Sequence, residues 1–271
     1  MSKAAVIQMA SGPNLQANLL AAERLLNQAH DAGATLAVLP ENFAYMAKRD
    51  ADRLAIGEAL GEGPCQQMLS RFAARTGMWI VGGTIALTGC RPDRVRAACL
   101  VYDGTGRLAA RYDKMHLFDV SLPEVAETYR ESATFEPGDE TVVVDTPIGR
   151  LGLAVCYDLR FPELFRRLSA AGAELVALPA AFTAATGRAH WDVLVRARAV
   201  ENLCYLLASA QGGFHANGRE TWGHSMIVDP WGEVLAASRQ QDSGIAVAEL
   251  SLPALRERRQ RFPALAHRRL A

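Results

Sequence analysis

Leu151-Gly152-Leu153-Ala154-Val155-Cys156-Tyr157-Asp158-Leu159-Arg160-Phe161-Pro162-Glu163 reads as a single βα unit. Its apolar start suits a strand buried on both faces, the kind found in parallel sheets. A polar corner follows, and Pro162 fits the first turn of a helix that reaches Ala171. The next apolar run, Leu175 to Leu178, ends at Pro179. The first half of the chain uses the same device, with Leu36 to Leu39 stopped by Pro40.

Working outward, Ala4 to Ala10 reads as another buried strand. Asn14 caps a helix that places Leu19, Ala22, Leu25, Leu26 and Ala29 on one face, and Gly33 closes it. A second helix runs from Cys65 to Arg75, stopped by Gly77. Trp79 to Ile85 and Ala97 to Tyr102 are strand-like, and Asp103-Gly104 turns the latter back into Leu108 to Tyr112. From Lys114 to about Asp139 the chain shows no clear period, and a long segment of that kind inside a compact domain marks function. Val142–Val144 pairs with Leu151–Val155 across Pro147-Ile148-Gly149. A helix from Trp191 to Asn202 leads into the strand Tyr205 to Ser209. The hairpin Ser225–Val228 with Val234–Ala237 and a last strand, Gly244 to Ala248, complete the pattern. The two similar halves predict one α/β domain over residues 1–271, with internal pseudo-symmetry and two stacked sheets covered by helices.

The chain has 271 residues, half of them apolar, enough for a full core. Lys plus Arg equals Asp plus Glu at 29 each, so there is no broad positive field for nucleic acid or an anionic membrane. No run is long and apolar enough to span a bilayer, and the N-terminus shows no signal peptide, which predicts a cytoplasmic protein. The five cysteines form no C-x-x-C pair, which argues against a disulfide framework or a zinc site. Cys65, Cys90, Cys99 and Cys204 are expected to be small buried apolar groups. Phosphate-loop, dinucleotide and metal-ligand patterns are absent, so no metal or other cofactor is implied.

Three reactive residue types end or follow apolar strands. Cys156 sits at a strand-to-turn corner, Glu41 just beyond Leu39-Pro40, and Lys114 at the end of a hairpin strand. Singly, these read as a buried thiol, a loop acid and a surface lysine. If their strands are neighbours, the three converge at one edge and support acyl transfer without histidine. The carboxylate takes the thiol proton, the thiolate attacks a carbonyl, and the ammonium holds the oxyanion. Among the glutamates of the irregular stretch, composition does not choose between Glu124, Glu127, Glu131 and Glu136.

Three segments together resemble the nitrilase superfamily of carbon–nitrogen hydrolases: Leu39-Pro40-Glu41-Asn42-Phe43, Tyr112-Asp113-Lys114-Met115-His116-Leu117-Phe118 and the stretch from Gly152 to Glu163. The resemblance runs from Val6 to about Arg269. It implies a four-layer αββα sandwich, the triad Glu41, Lys114 and Cys156, and a second glutamate matched best by Glu131, with Glu127 as the alternative. Within the superfamily the resemblance is to branches acting on deaminated glutathione and, next, to omega-amidases acting on α-ketoglutaramate. Thr186-Gly187-Arg188-Ala189-His190-Trp191 looks like the substrate-side loop of both branches. The implied reaction is hydrolysis of a small carboxylate-bearing amide to acid and ammonia through a thioester. Tyr157 supplies a backbone N–H to the oxyanion, and Arg160, Arg188 and His190 are the substrate-side candidates. A homodimer or higher homo-oligomer is implied in the same way.

Other readings compete. Nitrile- or N-carbamoyl-cleaving enzymes share the triad. A Cys-His hydrolase would use His116, two residues beyond Lys114, as base. A non-catalytic interaction protein would keep the fold alone.

Overall fold

The computed structural model describes residues 2–122, 127–239 and 242–269. The first half contains β1 (Ser2–Gln8), α1 (Leu15–Asp31), β2 (Leu36–Val38), α2 (Pro64–Thr76), β3 (Trp79–Val81), β4 (Ile85–Thr88), β5 (Val95–Tyr102) and β6 (Leu108–Asp113). A short hairpin follows, β7 (Asp119–Leu122) with β8 (Glu127–Arg130). The second half contains β9 (Val143–Thr146), β10 (Gly149–Leu153), α3 (Pro162–Ala170), β11 (Leu175–Ala180), α4 (Ala184–Asn202) and β12 (Tyr205–Ala210). It ends with β13 (Gly212–Phe214), β14 (Glu220–Trp222), β15 (Ser225–Val228), β16 (Val234–Ser238), β17 (Gly244–Leu250) and α5 (Leu252–Arg261).

One sheet has the order β17-β1-β2-β3-β5-β4, with β6 also on β5; the other runs β16-β15-β12-β11-β10-β9. Each is built on three parallel strands, β1-β2-β3 and β10-β11-β12, flanked by antiparallel ones. This is the pseudo-symmetry expected from the two similar halves of the sequence.

Strand alternation sorts the core into layers. Ala4 and Val6 of β1, Leu36 and Val38 of β2, and Cys99 and Val101 of β5 join Leu151, Leu153, Ala177 and Leu207 of the second sheet. The alternate residues Ala5, Ile7, Ala37, Ala98 and Leu100 join Leu25 and Leu26 of α1 and Leu69 and Phe72 of α2. Phe165 and Leu168 of α3 and Trp191 and Val195 of α4 pack on the second sheet. The result is the four-layer αββα arrangement. Ser209 Oγ of β12 donates to the Ile7 carbonyl of β1 and pins one sheet to the other.

Several local expectations need correction. Trp79–Ile85 is not one strand: it divides into β3 and β4 at Gly82-Gly83-Thr84. Gly83 has φ +55°, and a Cβ there would stand 2.1 Å from the Pro40 carbonyl oxygen, so only glycine lets the chain pass this corner. β11 continues through Pro179, which stays in register with Ser209. The segment taken as a substrate-side loop, residues 186–191, is the start of α4, capped by Thr183. The irregular stretch holds the β7–β8 hairpin and a 3₁₀ turn at Glu131–Ala133; Glu124 lies outside the described residues. Cys90 is exposed rather than buried, because Gly89, Pro92 and Asp93 make its surroundings a polar turn.

The basic C-terminal helix is partly internal. Arg259 donates to the carbonyl oxygens of Leu203 and Ala173, just past the ends of α4 and α3, and Arg256 pairs with Glu174 at 2.8 Å. Cations at helix C-termini are favourable there. Among the described residues no helix is long and apolar enough to cross a membrane.

Candidate active site

Glu41, Lys114 and Cys156 meet in one pocket, reached from three different strands. Glu41 follows β2 past Pro40, Lys114 follows β6 directly, and Cys156 follows β10. Asn42 beside Glu41 has φ +56° and Cys156 itself φ +48°, so both corners use left-handed backbone. That conformation is costly for a non-glycine residue and turns the chain sharply as it leaves the sheet.

Lys114 is 2% exposed, Glu41 4% and Cys156 8%. The Lys114 ammonium donates to Glu41 Oε1 at 2.8 Å and to Glu131 Oε2 and Oε1 at 2.8 and 2.9 Å. Glu131 Oε2 also accepts from the Phe118 backbone N–H at 2.6 Å. Burial opposes a charged lysine, but the carboxylates of Glu131 and Glu41 outweigh it and hold the Lys114 pKa well above its ordinary value. Lys114 is therefore an ammonium across the physiological range. Burial raises the Glu131 pKa, against the pull of Lys114. Burial also raises the Cys156 thiol well above its usual value, and Glu41 pushes the same way, while Lys114 and the Ala181 N–H lower it. Ala181 N–H donates to Cys156 Sγ at 3.5 Å. The resting site thus favours a protonated thiol beside the Glu41 carboxyl group.

The walls enclose about 810 Å³ of space, open solvent at the mouth included. Its wall carries Arg53, Arg130, Arg160 and Arg219. Arg160 lies over the Tyr157 and Phe182 rings and 3.2 Å from His190 Nδ1. Arg53 is 7% exposed and pairs with Asp50 at 2.6 Å, over the Phe135 ring. Its Nε has no acceptor among the described residues. Arg219 lies over Tyr129 of β8 at 4.3 Å and 4.0 Å from Asp50, joining three segments at the mouth.

Of the sequence candidates, Glu41, Lys114, Cys156, Glu131, Tyr157 and Arg160 line the pocket. Arg188 and His190 do not. Arg188 is exposed on α4 with its guanidinium over Trp222, and His190 braces Arg160 from outside. Glu127 accepts from Tyr129 Oη at 2.7 Å, and Glu136 accepts from the Cys90 and Arg91 N–H groups. His116 bonds Asp158 through Nδ1 at 2.7 Å and stacks on Phe161 at 3.7 Å, outside the pocket lining, so it is not placed as a base for the thiol. Arg53, Arg219 and Ala181 were missed in sequence. Arg53 sits in the charged run Lys48-Arg49-Asp50-Ala51-Asp52-Arg53, which looks like any solvated loop.

A four-layer αββα protein with an acid, an amine and a thiol in one buried pocket has the architecture of the nitrilase superfamily. The carbon-nitrogen hydrolase family matches residues 3–260, and this chain belongs to it. A deaminated glutathione amidase from Yersinia enterocolitica is 43% identical over 266 residues, spanning 98% of this chain and 92% of that protein. The NitFhit protein of C. elegans superposes with a TM-score of 0.91 at 36% identity; the match spans 99% of this chain and 65% of that longer one. Saccharomyces cerevisiae Nit3, of branch 10 of the superfamily, gives a TM-score of 0.88 at 30% identity over 99% of this chain and 97% of its own.

Proposed function

We propose that this hydrolase cleaves an amide of a small carboxylate-bearing molecule, with deaminated glutathione as the first candidate, through a thioester on Cys156. The observation that carries the reading is the Lys114 ammonium bonded to both Glu41 and Glu131 in the pocket that holds the Cys156 thiol.

Glu41 accepts the thiol proton as sulfur attacks the amide carbon. The carbonyl electrons move to oxygen, where the Lys114 ammonium and the Tyr157 N–H hold them. Collapse breaks the C–N bond, and protonated Glu41 returns its proton to the departing nitrogen. Glu41, again a carboxylate, draws a proton from water as the water oxygen attacks the thioester. The second collapse releases the acid and returns the thiol. Glu131 has its own part: while Glu41 is protonated and neutral, Glu131 keeps Lys114 charged and in place.

The nitrogen that leaves depends on the substrate. A primary amide such as α-ketoglutaramate releases ammonia. Glutathione has only peptide amides, so its deaminated form releases an amine. A molecule of that kind carries a carboxylate at each end, and four arginines line the pocket. Guanidinium forks suit carboxylates. A thiol that must stay reduced, with all five cysteines unpaired, suits the cytoplasm. Self-association as a homodimer or larger homo-oligomer is expected from the family resemblance and is read directly by light scattering.

The deciding experiment offers purified enzyme both amides and measures amine and ammonia separately. Amine release from deaminated glutathione in clear preference supports the reading. Strong preference for α-ketoglutaramate replaces it with omega-amidase, and hydrolysis of neither, with turnover of a nitrile or N-carbamoyl compound, defeats it.

A further inference from the structure

Asp158 is a fully buried carboxylate two residues beyond Cys156, and the reaction above makes no use of it. A buried acid needs its oxygens satisfied, and here four donors do so. Oδ1 accepts from the His116 N–H at 3.0 Å and lies 2.7 Å from His116 Nδ1. Oδ2 accepts from Tyr112 Oη at 2.7 Å and from the Val155 N–H at 2.8 Å. Tyr112 and His116 stand two residues before and two after Lys114. Val155 immediately precedes Cys156.

We infer that Asp158 is a positioning residue that sets Lys114 against Cys156, by holding in one carboxylate the backbone segments that carry them. Two of its donors, the His116 and Val155 N–H groups, are backbone, with a fixed sense of donation. Tyr112 Oη and the His116 ring can reverse theirs; the backbone cannot. An asparagine at 158 has one accepting oxygen and one donating nitrogen. Whichever way the amide faces, it turns a donor toward one backbone N–H. One orientation frees the lysine side of the grip, the other frees the cysteine corner. The left-handed backbone of Cys156 is held by the same turn, so loss of the grip relaxes the corner as well.

The inference rests on the triad reading, so its test has two readouts. Asp158→Asn is expected to lower kcat about 100-fold or more, the scale of an ångström of misplacement, with KM within about twofold. Independently of any amide substrate, the pH midpoint for Cys156 alkylation by iodoacetamide moves upward, because the lysine no longer lowers the thiol pKa. Phe72→Leu, in the core between α2 and the first sheet, serves as the destabilised control and should leave both readouts in place. If Asp158→Asn does not fold, His116→Phe takes over: it removes one donor to Oδ1 while an aromatic ring still covers Phe161. It should cost about 5–10-fold in kcat and move the alkylation midpoint in the same direction. A folded Asp158→Asn variant with kcat within about threefold of wild type and an unmoved midpoint overturns the inference, as does a His116→Phe variant with neither change. If wild type hydrolyses neither amide, the alkylation midpoints alone decide the inference.

Discussion

The ammonium of Lys114 stands 2.8 Å from Oε1 of Glu41, with both side chains almost wholly removed from water. Isolated buried charges are costly, and such a pair persists only where further partners complete it. Glu131 is that partner: it accepts the ammonium hydrogens that Glu41 leaves free.

Replacement of Cys156 by alanine removes the proposed nucleophile and one sulfur from a packed corner. Turnover should fall to background. The lost packing is worth about 1 kcal/mol, so the melting temperature should move by no more than about 2–4 °C. Near-wild-type turnover would end the thioester mechanism.

The charges around the thiol give a signed pH prediction. After burial, Glu41 is the main group raising the Cys156 pKa, and Lys114 lowers it. The thiolate is the form that alkylates. Glu41→Gln should therefore shift the alkylation midpoint to lower pH and Lys114→Met to higher pH, in assays of folded protein. Shifts in the reverse order would mean that the two side chains do not act on the sulfur as placed.

If Arg53 and Arg160 each hold one carboxylate of the proposed substrate, the loss of either should be selective. Arg53→Met and Arg160→Met should each lower kcat/KM for deaminated glutathione by about 10-fold or more. For an amide with only one carboxylate, one of the two variants should be nearly silent. Equal losses on both substrates from both variants would show that neither arginine distinguishes the ends.

Gly187 tests packing against propensity. Within a helix, alanine is favoured over glycine by about 1 kcal/mol, yet a Cβ at 187 would lie 2.3 Å from the Trp222 side chain. Overpacking of this kind costs about 1–3 kcal/mol, so Gly187→Ala should melt earlier. A higher melting temperature would show that Trp222 moves aside freely.

Much of this was legible in the sequence because chemistry and topology coincide there. Leu39-Pro40-Glu41, Tyr112-Asp113-Lys114 and Val155-Cys156 each announce a strand end and a reactive group together. The pocket arginines carry no such sign. Arg53 and Arg219 are brought together by Asp50, and that proximity exists only after folding. Arg188 misled for the opposite reason: the helix starts at Ala184, earlier than its apolar spacing suggests, and its first turns carry Arg188 out over Trp222. The β7–β8 hairpin escaped notice because its four-residue strands show only Val120, Leu122 and Tyr129 as apolar members. Asp158 was visible only as one residue of the stretch from Gly152 to Glu163, not as the acceptor of four donors.

β1 lies between β2, about thirty residues onward, and β17, some 240 residues away. The pseudo-symmetric halves are therefore not modules that can be separated. A polypeptide emerging from the ribosome holds β1 with one side of its backbone unsatisfied until β17, the last strand among the described residues, arrives. An open edge of that kind invites pairing with other chains, and distant pairing slows folding. Translation arrested before residue 244 would leave a sticky, unfinished sheet, which makes the late strand β17 a checkpoint for correct assembly of the molecule.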